Sequence, residues 1–344
     1  MEGGDRHSVY KLISKLGHVV KDLSLNMVLD PRENRSQTEA EDFNARVLGH
    51  LDNVRRLTIF HRTYDKSEPK LLFDKIRGLS SLREIHIIDV QEWLDFWADI
   101  PAKDAPSHLA HRLLDVVLDA HASCLRTIVL FGVTPLTIGT FEKIQYSAPK
   151  LNRLEIIHAI AVYHHESLAS PAAWACAANL QHVSLTCCRG AHAAIFTRQL
   201  AAGVIGRLRT LHMSICGATS DDETSPGGTQ WTIPALEVLE LDHFAAWEMD
   251  HFAMIHAKKV FLSRVWHMEG MRDTDALRVI MAMKDMATFP EVIELHVTPY
   301  WNDKEFGDLQ AVCLAREINV VERNWFFCEI EGYTKKRGLP LDLH

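Results

Sequence analysis

Histidine and carboxylate side chains recur at one fixed place along this chain, between two apolar residues that lie two positions apart. In order, those places hold Ser24, Thr58, His86, Val129, Glu155, Ser184, His212, Glu240, Phe261 and His296. Three residues further on stand Met27, His61, Asp89, Gly132, His158, Cys187, Ile215, His243, Arg264 and Pro299. If the segments lie side by side, each set becomes a row with a spacing of about 4.8 Å. Taken as one face with His182 and Asp242, the two rows gather Glu155, His158, His182, His212, Glu240, Asp242 and His243 onto neighbouring central segments. Imidazole titrates near neutral pH and a carboxylate can orient it, so such a cluster suits acid–base catalysis or metal ligation. His212 and Glu240 are adjacent in one row, and Glu155, His182 and His243 are the other catalytic candidates.

The alternative is a polar, solvated sheet surface on which His and Glu pair across strands for modest gain. The chain holds 20 histidines, enough for chance to bring several together. There is no HExxH, no paired-cysteine zinc spacing, no G-x-S-x-G elbow, no GxGxxG and no phosphate-binding loop. Neither a metal nor a cofactor is therefore expected, and contact with a partner ranks above catalysis. His86, His158, Asp242 and His296 are the row positions suited to that contact. Trp266 and Trp301 extend past the ends of their segments, where large amphipathic rings can anchor a partner or fill gaps under loops.

The elements that must position these residues are ten copies of a short motif. They are Val20/Leu23/Leu25, Val54/Leu57/Ile59, Leu82/Ile85/Ile87, Leu125/Ile128/Leu130, Leu151/Leu154/Ile156, Leu180/Val183/Leu185, Leu208/Leu211/Met213, Leu236/Leu239/Leu241, Ala257/Val260/Leu262 and Val292/Leu295/Val297. Their starts lie between 21 and 43 residues apart. Alternation of apolar and polar residues within each copy marks a strand with one buried face. Helical spacing follows in Glu41–Leu51, Lys70–Leu79, Leu109–Leu118, Phe141–Tyr146, Ala191–Ile205, Ala245–Ile255, Thr274–Met286 and Phe306–Ala315. Strand and helix in about thirty residues cannot bury an apolar face alone, so the units must stack.

The expected fold is an α/β solenoid, with a parallel concave sheet of ten to eleven strands and convex helices. A doubly wound sheet would show a Gly-rich first turn, and a barrel would stop at eight even units. One irregular domain over residues 1–331 is expected. An N-terminal helix caps it at one end; Ile318–Val321 as a last strand, with the aromatic segment up to Cys328, caps it at the other. A flexible tail follows at 332–344. Gly217–Gln230 reads as a surface loop.

The net charge of −8 and the scattered Lys and Arg argue against a nucleic-acid surface. The polar start does not read as a signal peptide, and no run reaches the roughly 18 apolar residues of a membrane span. Seven cysteines without a CxxC pair fit free thiols in a reducing compartment, cytosol or nucleus.

At this level the text "LSSLREIHIID" (Leu79–Asp89), "APKLNRLEIIHA" (Ala148–Ala159), "AANLQHVSLTCC" (Ala177–Cys188) and "IPALEVLELDHF" (Ile233–Phe244) resembles the leucine-rich-repeat superfamily, specifically the irregular repeats of fungal F-box/leucine-rich-repeat proteins. The resemblance runs from about Val20 to Val321 and implies a leucine-rich-repeat horseshoe that binds a protein partner, as a substrate-recognition subunit does. Such proteins open with a ligase-docking F-box; "HSVYKLISKLGHVVKDLSL" (His7–Leu25) instead looks like the helix that follows one, so the F-box is expected to be missing from this chain. A scaffold for a protein partner is thus the first expectation. A small-molecule-binding protein or atypical enzyme built on the central His/Glu/Asp cluster is the second.

Overall fold

The computed structural model describes residues 11–27, 37–61, 69–89, 108–133, 140, 143, 144, 147–157, 179–186, 207–214, 236–242, 257–263, 294–297, 307, 310, 311, 313–315 and 317–322. Eleven strands form one sheet: β1 (Asp22–Asn26), β2 (Arg56–His61), β3 (Glu84–Asp89), β4 (Thr127–Phe131), β5 (Arg153–Ile157), β6 (His182–Thr186), β7 (Thr210–Ser214), β8 (Leu236–Asp242), β9 (Ala257–Ser263), β10 (Glu294–Val297) and β11 (Asn319–Glu322). Their spatial order is their chain order, and every neighbouring pair is parallel. β1 and β11 end the sheet, so it is open. This is a leucine-rich-repeat solenoid. All ten motif copies form strands, and Ile318–Val321 supplies the eleventh.

The register keeps like with like. Leu57, Ile85, Ile128, Leu154, Val183, Leu211, Leu239 and Val260 are partners across successive strands, and all are buried. Because side chains alternate, a slip of one residue would turn this whole row outward, which fixes the pairing. A second row one turn earlier, Val54, Leu82, Leu125, Leu151, Leu180, Leu208 and Leu236, is buried beneath the strand starts.

Three helices, α1 (Gln37–Leu48), α2 (Lys70–Arg77) and α3 (His108–His121), pack in series on the leucine side. α2 buries Leu72, Phe73 and Ile76, the face that its spacing makes apolar, and ends at Gly78 with Lys75 and Arg77 in the last turn. His121 fastens α3 to α2: its Nε2–H donates to the Ile76 carbonyl at 2.7 Å. Burial pushes the His121 pKa down, opposed by that bond. The spacing put these helices at Glu41–Leu51, Lys70–Leu79 and Leu109–Leu118. The observed ends differ by up to four residues, because caps and tertiary packing, rather than periodicity, decide where a helix stops.

Before β2, β4 and β6, a side chain reaches back to the preceding repeat. Asn53 Nδ2 donates to the His18 carbonyl at 2.6 Å, Cys124 Sγ to that of Leu82 at 3.2 Å, and Asn179 Nδ2 to that of Pro149 at 3.1 Å. Gly17 sits where only glycine fits, since a Cβ there would lie 2.0 Å from the His50 carbonyl oxygen.

Candidate functional site

The face opposite the leucines carries the central row Ser24, Thr58, His86, Val129, Glu155, Ser184, His212, Glu240, Phe261, His296 and Val321, confirmed strand by strand in the register. Two residues earlier runs a flanking row: Asp22, Arg56, Glu84, Thr127, Arg153, His182, Thr210, Val238, Lys259, Glu294 and Asn319. Opposite charges on adjacent strands meet along the flanking row. Arg56 lies 3.7 Å from Asp22 and 3.0 Å from Glu84, and Lys259 lies 2.7 Å from Glu294. Such partly exposed pairs add little stability each, but they fix which charges remain available.

A polar, solvated sheet was one of the two readings of this face, and half of the face departs from it. Over β2–β5 it is closed: Thr58, His86, Val129 and Glu155 are buried, as are Phe60, Ile88, Phe131 and Ile157 in the row beyond. Over β6–β9 the central row opens, with Ser184, His212, Glu240 and Phe261 only half-buried. The strand sequences agree, since a sheet buried on both faces reads as a continuous apolar run such as Ile128–Phe131 rather than an alternation.

Inside the closed half, His86 and Glu155 are each held by a neighbour on their own strand. His86 Nε2 donates to Glu84 Oε1 at 2.6 Å. Burial pushes the Glu84 carboxyl up, but the hydrogen bond and charge of His86, together with Arg56, hold it down at about 2. Arg153 Nε donates to Glu155 Oε1 at 2.6 Å, so this candidate carboxylate is neutralised on its own strand. His86 is 1% exposed, which places it inside rather than where a partner would touch.

The row three residues on was expected to share this face. It does not: Met27, His61, Asp89 and Gly132 are all buried, and their odd offset puts them on the leucine side. His61 Nδ1 lies 3.8 Å from Asp89 Oδ2, and neither ring nitrogen of His61 has a hydrogen-bond partner among the described residues. Burial drives the His61 pKa down, with Asp89 opposing. The sequence signal for this pair was already there, in two polar residues extending the core-facing alternation of β2 and β3.

In the open half, Ser184 Oγ and His212 Nδ1 share a 2.9 Å hydrogen bond, and Glu240 is the register partner of His212 on the far side. His182 stands between Arg153 and Thr210; burial first, then the neighbouring Arg153, lowers its pKa, so it is neutral near pH 7. Asp242 and His296 occupy the register positions expected, opposite Ser214 and Phe261 respectively. His158, His243, Trp266 and Trp301 lie outside the described residues.

No protein-family model matches the chain, and no curated protein matches it at a significant level. Among solved structures, it is similar to the leucine-rich-repeat-containing protein LegL7 from Legionella pneumophila, with 11% identity and a TM-score of 0.42 over 81% of this chain and 93% of that one. It is also similar to the Rad7 and Elc1 complex of yeast, with 12% identity and a TM-score of 0.38 over 91% of this chain and 78% of that one. The strand order and register of this chain define its fold.

The row Ser184, His212, Glu240 carries hydroxyl, imidazole and carboxylate in sequence, the groups of a nucleophilic triad. Its setting does not suit acyl transfer. These residues sit mid-strand, where the strands' own backbone N–H groups are committed to the parallel ladder rather than free to stabilise an oxyanion. Among the described residues, no group of three or more His, Cys, Asp or Glu could hold a metal ion. The arrangement offers hydrogen bonding, one neutral imidazole and flanking charges on an open surface, which is chemistry for recognition.

Proposed function

We propose that this chain is a protein-interaction scaffold whose partner seats on the leucine-free face over β6–β9. The observation that carries it is the change from closed to open along one continuous face. His182, Ser184, Thr210, His212 and Glu240 are half-exposed there, bordered by the aromatic ring of Phe261 and by Lys259. Aromatic and charged groups around a polar centre give interfaces their anchors and their specificity. By the resemblance of its repeats to fungal F-box/leucine-rich-repeat proteins, the chain would serve as the recognition part of a larger assembly.

Affinity capture from source-cell extract tests this, using the wild-type chain beside a His212→Ala/Glu240→Ala variant with Phe261→Arg added. The wild type is expected to retain at least one protein in stoichiometric amount. The variant loses it by about tenfold or more while keeping its melting temperature within a few degrees. A partner held equally by both proteins would refute the assignment of this face. A second possibility, a small-molecule site, is favoured by the Ser184–His212 bond beside Glu240. It predicts a melting shift with a metabolite mixture that the same substitutions abolish.

A further inference from the structure

The strands begin on a rim where the lysine and arginine residues, dispersed in the sequence, come together. The residue just before the strand is Lys21, Arg55, Arg83 and Arg126 for β1 to β4, then Asn152, Gln181 and Arg209 for β5 to β7, and Glu237 in β8 and Lys258 in β9 hold the same register position. A backbone ladder holds this row in line. Arg55 and Arg56 both donate their N–H to the Lys21 carbonyl at 2.7 and 3.0 Å. Arg83 and Glu84 donate to Arg55 at 2.8 and 2.9 Å, and Arg126 and Thr127 to Arg83 at 2.7 and 3.2 Å. Four cations therefore stand on four successive strands, spaced roughly 4.8 Å apart over about 14 Å. All four are exposed.

Little on the rim neutralises them. Asp22 and Glu84, the carboxylates on the adjoining flanking row, are both engaged by Arg56. The turns leading into the four strands, residues 17–21, 49–55, 78–83 and 122–126, carry one carboxylate, Asp52. Arg83 reaches across the row, with Nη1 donating to the Cys124 carbonyl at 3.5 Å, which keeps its charge at the rim. In a chain of net charge −8, such a local excess of positive charge is a focused field.

We infer that this rim, Lys21–Arg55–Arg83–Arg126, binds an extended acidic segment of a protein partner. The site is distinct from the β6–β9 face and does not depend on it. An extended segment advances about 3.4 Å per residue, so four or five residues span the row and place two or three carboxylates against it. Arginine is suited to this, because its planar fork takes a carboxylate in two parallel hydrogen bonds. A nucleic acid fits less well. Single strands bind where aromatic rings stack the bases, whereas the rim positions continuing the row are Asn152 and Gln181. A long polyanion also meets the negative field of the whole chain, which a short acidic segment escapes.

The test is fluorescence anisotropy of the full chain with three labelled probes: a 12-residue peptide alternating Glu and Ser, the same peptide with Lys in place of Glu, and a 12-nucleotide single-stranded RNA. The Glu peptide should bind at low salt and weaken steeply as salt rises and screens the rim. Arg83→Gln and Arg126→Gln should each weaken it by about two- to fivefold, and Arg55→Gln/Arg83→Gln/Arg126→Gln by about tenfold or more, with unchanged melting. Should the triple variant melt early, the two single variants decide the matter. Absence of Glu-peptide binding at low salt, equal affinity in the variants, or tighter binding of the RNA or the Lys peptide would each overturn the proposal.

Discussion

Val129→Lys should destabilise the protein by about 4 kcal/mol, the scale set by forcing an ammonium into an interior with no partner for it. Val129 lies in the central row of the leucine-free face, where a solvated sheet would tolerate lysine, yet it is 0% exposed. Glu240→Lys, in the same row four strands further on, should cost less than about 1 kcal/mol, because that position is half-open. Urea denaturation of the two variants beside the wild type measures the difference. The contrast is the point, since both substitutions introduce the same side chain into the same row. Equal midpoints would mean that the face does not change character along the sheet.

Acid should unfold the protein through a small set of buried groups, and all of them act in one direction. The Glu84 carboxyl is held down at about 2 by His86 and Arg56 against its burial, below its ordinary 4.5. Its folded state therefore binds the proton less readily than the unfolded chain. The stability it contributes is complete above pH 4.5 and is lost as the pH falls toward 2, on the order of 2 kcal/mol after allowance for its partial exposure. His61 and His121 are pushed below their ordinary 6.5 by burial, so protonation in the unfolded chain draws stability away as the pH falls below 6.5. Melting temperature should decline in two stages, the first below pH 6.5 and the second below pH 4.5. Glu84→Gln should flatten the second stage and leave the first intact. A melting temperature that rises on acidification through either window would contradict these assignments.

The strands were legible because each has the shortest possible signal, apolar residues two apart, and each repeats it at a spacing too small for an independent core. Leu57/Ile59 and Leu239/Leu241 satisfy the same rule in β2 and β8, and both pairs entered the sheet. Helix ends were less legible: the apolar face of α3 marks Leu109 and Leu118 but says nothing of His121, whose bond to Ile76 extends the helix. The candidate site was half legible. Offsets of zero and two place Glu155, His182, His212, Glu240 and Asp242 on one face. An offset of three turns His61 and Asp89 inward, an effect of strand parity that a count of residues conceals. Closure over β2–β5 depends on long-range packing and left only a faint trace, in the unbroken apolar run of β4. The basic rim left less still. One cation per repeat, some thirty residues from the next, reads as scatter until the register lines them up.

Register-guided disulfide mapping tests the stacked, open sheet most directly. Neighbouring parallel strands bring paired Cα atoms to about 4.8 Å, within the 4.4–6.8 Å that a disulfide spans. Cysteine pairs are placed at Thr127 and Arg153, at His182 and Thr210, and at Val238 and Lys259, which are register partners. A fourth pair, at Asp22 and Asn319, joins the two outermost strands. After mild oxidation, mass spectrometry of the peptides should show the first three bonds and not the fourth. A bond between positions 22 and 319, or failure of the three neighbouring pairs in folded protein, would contradict an open sheet laid down in chain order.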